Sequence, residues 1–209
     1  MTRFRRQHPS FGVLVGMLGV VWGCGYHHYT GPLRPALEQP NRTRAEAGGV
    51  IFAQGHLRVE VRALTDTELN RQFQSRSVAG PQSTNPYTFA DTRFWEGDKH
   101  RSRFTTFSLR VVNEDFPKVK IDPSRVSLQA VDGSEYWSLE LQQLDTYYRA
   151  YAVGFRGNEY ARYQERLDLL RSTLFKNEEI FAGQEAEGYV VFPALHHDVS
   201  EVEVAIHDA

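Results

Sequence analysis

The chain has 209 residues, 41% of them hydrophobic and 12% aromatic, enough apolar material for one buried core. Its 24 basic and 26 acidic residues leave a formal charge of −2 with no basic stripe to neutralise phosphates, so a nucleic-acid partner is not expected. The single cysteine, Cys24, excludes a disulfide within the chain, and stability must come from packing.

Arg3, Arg5 and Arg6 come first, followed by an uncharged, mostly apolar run from Phe11 to Gly23 and by small residues around Cys24. That basic, apolar, small-residue order is the order of an export signal. An uncleaved anchor is the competing reading. However, the thirteen residues of the run, at about 1.5 Å each, cover only about 20 Å of a hydrocarbon layer roughly 30 Å thick. Gly12, Gly16, Gly19 and Gly23 further weaken a helix there.

Val21-Trp22-Gly23-Cys24 resembles the lipobox of bacterial lipoproteins, with Trp22 where a small residue is usual. The resemblance implies cleavage before Cys24, a diacylglycerol in thioether linkage on its sulfur, and attachment to a membrane through that lipid. Gly25, in place of Asp, implies the outer membrane in a two-membrane host. Residues 1–23 are then a signal peptide, and their loss takes the formal charge from −2 to −5. Two or three acyl chains hold far better than one, at about 0.8 kcal/mol per buried methylene.

Residues 24–47 hold Pro32, Pro35 and Pro40 among polar residues and no sustained apolar period, which reads as a flexible tether. Asn41-Arg42-Thr43 fits the glycosylation acceptor pattern, a short triplet that arises often by chance. Residues 48–209 form the folded domain. His56 to Leu64 alternates, with Leu57, Val59, Val61 and Ala63 on one face, as a half-buried strand does. Asp66 to Arg103 is sparse in apolar residues and rich in turn signals, so a long connection is expected.

Phe104 to Asn113 places Phe107, Leu109 and Val111 on one face of a second strand. Asp122-Pro123-Ser124 turns into a third, Arg125 to Val131, and Asp132-Gly133 into a fourth, Glu135 to Leu141, expected to face Trp137, Leu139 and Leu141 inward. A helical insertion is expected near residues 142–175. Within it Asn158 to Leu174 carries Tyr160, Tyr163, Leu167, Leu170 and Leu174 on one stripe, with Arg162, Glu165, Arg166 and Arg171 between, and Leu141 to Phe155 is a candidate helix before it. Gly188 to Phe192 and Glu201 to His207 are the last strands. Six or more strands joined by short turns predict a mainly β fold, an antiparallel β-sandwich with a helical insertion.

The segments "FTTFSLRVVN", "IDPSRVSLQAVDGSEYWSL" and "IFAGQEAEGYVVFPAL" resemble the immunoglobulin-like sandwich of small exported bacterial lipoproteins of unassigned function. The resemblance covers about half the chain and implies a fold rather than a chemistry.

No Gly-x-Ser-x-Gly elbow, phosphate loop, His-Glu-x-x-His or paired cysteine occurs, so neither an enzyme nor a cofactor is expected, although a triad dispersed along the chain would escape such a search. His27-His28 and His196-His197 are two pairs, but adjacent residues on extended chain point opposite ways, and solvated histidines are the simpler reading than a metal site. Asp98-Lys99-His100-Arg101, beside Phe94 and Trp95, reads as a solvated loop tip or a binding loop. Tyr147, Tyr148, Tyr151, Phe155, Tyr160 and Tyr163, with Arg149, Arg156 and Arg162 interleaved, either pack as helical stripes on the sheet or form, with Trp95, a contact surface for a protein or a sugar. The expected role is therefore a membrane-anchored envelope module that binds a protein partner. Cell-wall or surface glycan is the alternative ligand.

Overall fold

The computed structural model describes residues 2–6, 31–37, 39, 42–45, 47–78, 80–90, 92, 102–154 and 159–207. Cys24 with the apolar run before it, and Trp95 with its loop, lie outside the described residues, as does the side chain of Tyr151. Strands β1 (Thr2–Arg6), β2 (Leu33–Pro35), β3 (Thr43–Arg44), β4 (Val50–Gln54) and β5 (Leu57–Leu64) come first. After helix α1 (Asp66–Gln72) follow β6 (Phe104–Asn113), β7 (Lys118–Lys120), β8 (Val126–Ala130) and β9 (Glu135–Trp137). Helices α2 (Leu141–Gly154) and α3 (Glu159–Thr173) precede β10 (Glu179–Phe181), β11 (Gln184–Pro193) and β12 (Glu201–Ile206).

The fold is mainly β, with antiparallel sheets and three helices among the described residues. One five-stranded sheet has the order β2-β1-β12-β8-β9, a second the order β11-β6-β5-β4-β3, and β10 pairs with β7. Alternation explains how the two larger sheets share a core. Phe4, Val126, Leu128, Val202 and Val204 from the first pack in one cluster with Val59, Val61, Phe107, Leu109, Val111, Val190 and Phe192 from the second. Each such side chain contributes about 1.5–3 kcal/mol on burial.

A second apolar cluster covers the other face of β6 and β11. There Phe104, Tyr189 and Val191 meet Leu69 of α1, Leu144 and Tyr148 of α2, and Tyr163, Leu167 and Leu170 of α3. The run Tyr189-Val190-Val191-Phe192 is apolar throughout because successive residues serve the two clusters in turn. Local chemistry fixes the start of α1: Thr65 Oγ1 accepts from Glu68 N (3.1 Å) while the Glu68 carboxylate accepts from Thr65 N (2.8 Å), a capping box.

Several expectations are corrected. The fourth strand ends at Trp137, and its inward face is the opposite one: Tyr136 packs on the core, whereas Trp137 is 46% exposed beside His207 and Leu141 is 36% exposed. The chain leaves the sheet at this point because Leu139 N donates to Val191 O (2.7 Å). The stretch read as a tether supplies β2, paired with β1, and β3, paired with β4. Apart from these corrections, the basic residues at the start of the chain, expected at the head of a leader, form β1 between β12 and β2, with Phe4 wholly buried. The three residues of β2, one of them Pro35, and the two of β3 are too few for period-two reading to detect.

Candidate interaction surface

The aromatic insertion divides by face. Tyr148 and Tyr163, candidates for a contact surface, are buried core residues, 0% and 6% exposed. The Tyr148 hydroxyl donates to Pro86 O and accepts from Arg103 Nη1 (3.1 Å), and the Tyr163 hydroxyl donates to Asp145. Tyr147 is 39% exposed and packs edge-on against Phe104, while Tyr160, expected on the apolar stripe of α3, is 71% exposed. Helical rotation puts Leu144 and Tyr148, four residues apart, against the sheet and turns Tyr147 to the rim.

Arg166, read among the polar positions of α3, is 0% exposed. Its Nη2 and Nε donate to Ser83 O (2.7 and 3.3 Å), tying α3 to the connection before β6, and its Nη1 lies 3.5 Å from Glu159, which also pairs with Arg162. Both Arg166 and Arg103 lie 5.5 Å from the Tyr148 ring centroid. Burial pushes the Tyr148 hydroxyl up to about 12, so it remains a neutral donor at every physiological pH.

Asp66, at the start of α1, is the titrating member of this region. Burial raises its carboxyl to about 6, with the Ser102 hydrogen bond and the Arg103 charge opposing. Between the unfolded value of 3.8 and about 6 the folded chain keeps a proton that the unfolded chain releases, so stability falls as pH rises through that window. The loss is on the order of 3 kcal/mol. In urea titrations at pH 4 and pH 7, Asp66→Asn is expected to remove this part of the difference between the two pH values. A fall as large as that of the unaltered chain would show that another group carries it.

At one end of the second sheet three turns converge on a buried side chain. Asn113, 0% exposed at the end of β6, donates from Nδ2 to both Phe116 O and Ile180 O (2.8 Å each), accepts at Oδ1 from Phe116 N (2.9 Å), and receives Gly183 N on its own carbonyl (2.7 Å). Glu114 N donates to His56 O (2.9 Å), which joins the β4–β5 turn to the same group. The Phe116 ring lies over Gly55, whose added Cβ would stand 3.7 Å from Cζ. Phe116 and Phe181, on the segments so joined, are 41% and 48% exposed. Lys118 and Glu179 (2.7 Å) form a charged pair across β7 and β10, and Lys118 holds the Glu179 carboxyl below its ordinary range. Sequence reasoning missed this end. Its signal was a phenylalanine at each of two chain reversals, Phe116 within Asn113-Glu114-Asp115-Phe116-Pro117 and Phe181 at the end of β10, just before Ala182-Gly183.

A groove of about 420 Å³ lies between the Asp122–Ser124 turn, the start of α2 and the end of α3. Two cations on its rim have partners, Arg171 with Asp168 (2.9 Å) and Lys176 near Glu178 (3.9 Å). His196 Nδ1 is 2.6 Å from Asp198, which His196 holds below the usual carboxylate range. Among the described residues no three His, Cys, Asp or Glu side chains converge, and no helix is long and apolar enough to cross a membrane. Compared with models of protein families, with curated proteins and with solved structures, the chain matches none.

Proposed function

We propose that this chain is a non-enzymatic envelope lipoprotein, attached to the membrane through acylated Cys24, whose immunoglobulin-like β-sandwich grips an envelope protein at the Phe116–Phe181 end. Two facing antiparallel sheets with turns gathered at one end support the immunoglobulin-like reading. The observation that carries the interaction reading is that Asn113 ties together the backbones of the two segments that carry Phe116 and Phe181, both half exposed. Aromatic anchors with little conformational freedom left to lose are what dominates binding energy at protein interfaces. Charged residues around them, Glu114, Lys118 and Glu179, supply a polar rim. A glycan platform needs a row of exposed rings, and among the described residues the burial of Tyr148 and Tyr163 leaves Tyr147 and Tyr160 without one.

The test is photo-crosslinking in intact cells, with the reactive side chain at position 181 and, as control, at the 75% exposed Val131. A single protein adduct from 181 and none from 131 is expected. Cys24→Ser should move the chain out of the membrane fraction and abolish the adduct. Recovery of cell-wall fragments alone from 181 would transfer the reading to glycan, and unchanged membrane partition of the Cys24→Ser form would remove the anchor.

A further inference from the structure

We infer that the edge of β12 is a strand-accepting site, which takes an antiparallel segment of a partner protein bearing one core-facing aromatic residue between outward-facing cations. The inference rests on the proposed cut before Cys24, because that cut removes the strand now occupying the edge. In the full chain β1 aligns Thr2, Arg3, Phe4 and Arg5 with Val204, Glu203, Val202 and Glu201. Phe4 is 0% exposed, with its ring 5.0 Å from that of Phe107 in edge-on contact. Arg3 and Arg5 stand opposite Glu203 and Glu201, each an opposite-charge pair on the outer face.

Cleavage strips β12 of these pairings and opens the place of Phe4 in the core. An unpaired strand edge above an apolar gap invites another strand. Two nearer occupants fit poorly. β2 has three residues, and its Pro35 has no N–H to give to a ladder, so it cannot repeat four register positions. A second copy paired antiparallel through β12 would bring Glu201 and Glu203 against the same carboxylates of its mate. The complement of this edge is a cation-aromatic-cation strand. The chain's own Arg3-Phe4-Arg5 is the template for it.

The experiment uses the full chain with a specific protease site placed between residues 7 and 23, folded and then cut. Fluorescence anisotropy follows a labelled Thr-Arg-Phe-Arg-Arg peptide. The cut chain is expected to stay folded by circular dichroism and to bind one peptide, whereas the uncut chain binds none. Alanine in place of the peptide's phenylalanine should weaken binding at least 30-fold. Glu201→Lys with Glu203→Lys should weaken it about 10-fold at low salt, and a peptide with glutamates in place of the flanking arginines should restore it. Unfolding on cutting, absence of binding, or binding indifferent to the aromatic and to the charges would overturn the inference. The mass of the protein extracted from the envelope tests the cut separately: Met1 retained would remove the anchor reading and the vacated edge, whatever the peptide does in vitro.

Discussion

Gly188→Ala is expected to destabilise the fold by roughly 3 kcal/mol, lowering the melting temperature by about 10 °C for a chain of this size. Gly188 lies within β11 at an ordinary strand conformation, so the cause is space rather than backbone freedom. The chain leaving α3 crosses β11 here: Leu174 bridges Tyr189, and Phe175 N donates to Tyr189 O (2.9 Å). A Cβ on Gly188 would stand 2.5 Å from both Cα and N of Phe175 and 2.8 Å from the Leu174 carbonyl carbon. All three are backbone atoms, so no rotamer change relieves the overlap. The crossing must lift, which disturbs Phe175 in one apolar cluster and Leu170 in the other. Gly133→Ala is the matching control. That position has φ +88° and open space around it, so its cost is conformational only, about 1 kcal/mol. Urea unfolding of the two variants separates the causes, and a Gly188→Ala loss no larger than that of Gly133→Ala would mean that the crossing yields freely.

The same crossing shows which parts of the fold could be read in advance. β5, β6 and β12 announce themselves because one face meets a core, so that Val59, Val61, Phe107, Leu109, Val202 and Val204 recur at period two. β11 does not alternate, since helices cover its second face, and its apolar run could not disclose that it sits between two clusters. β9 misled for a related reason: Trp137 is the larger ring, yet Tyr136 packs on the core while Trp137 lies against His207. Asn113 and Asp66 look like any polar residue at an element's end. Only the convergence of chain segments far apart in sequence reveals one as a hub and the other as a partly buried acid. Cys24 is the opposite case: the proposal of a lipid there rests wholly on its neighbours in sequence, and it lies outside the described residues.

Arg166 marks the limit of period-based reading, and its removal is expected to rank with Gly188→Ala. Helical spacing put it beside Arg162 and Glu165 on a solvated face, yet it is wholly buried, with Arg162 and Glu165 towards the rim. It is held there by two hydrogen bonds to Ser83 O, which no neighbour on α3 could have foretold. Arg166→Ala strands that buried carbonyl, opens a cavity beside Tyr148 and deprives Glu159 of one of its two cations. A loss of about 4 kcal/mol is expected, within the range for breaking a buried pair from one side. Arg166→Lys should recover only part of it, because an ammonium cannot reproduce the planar fork that reaches Ser83 O from two nitrogens. Arg166→Met refills the volume, and adding Glu159→Gln removes the buried charge left behind, so this double variant should be more stable than Arg166→Met alone. Urea unfolding of the four variants tests the ordering. Equal stability of the Met variant with and without Glu159→Gln would locate the whole contribution of Arg166 in Ser83 and packing, and none in the ion pair.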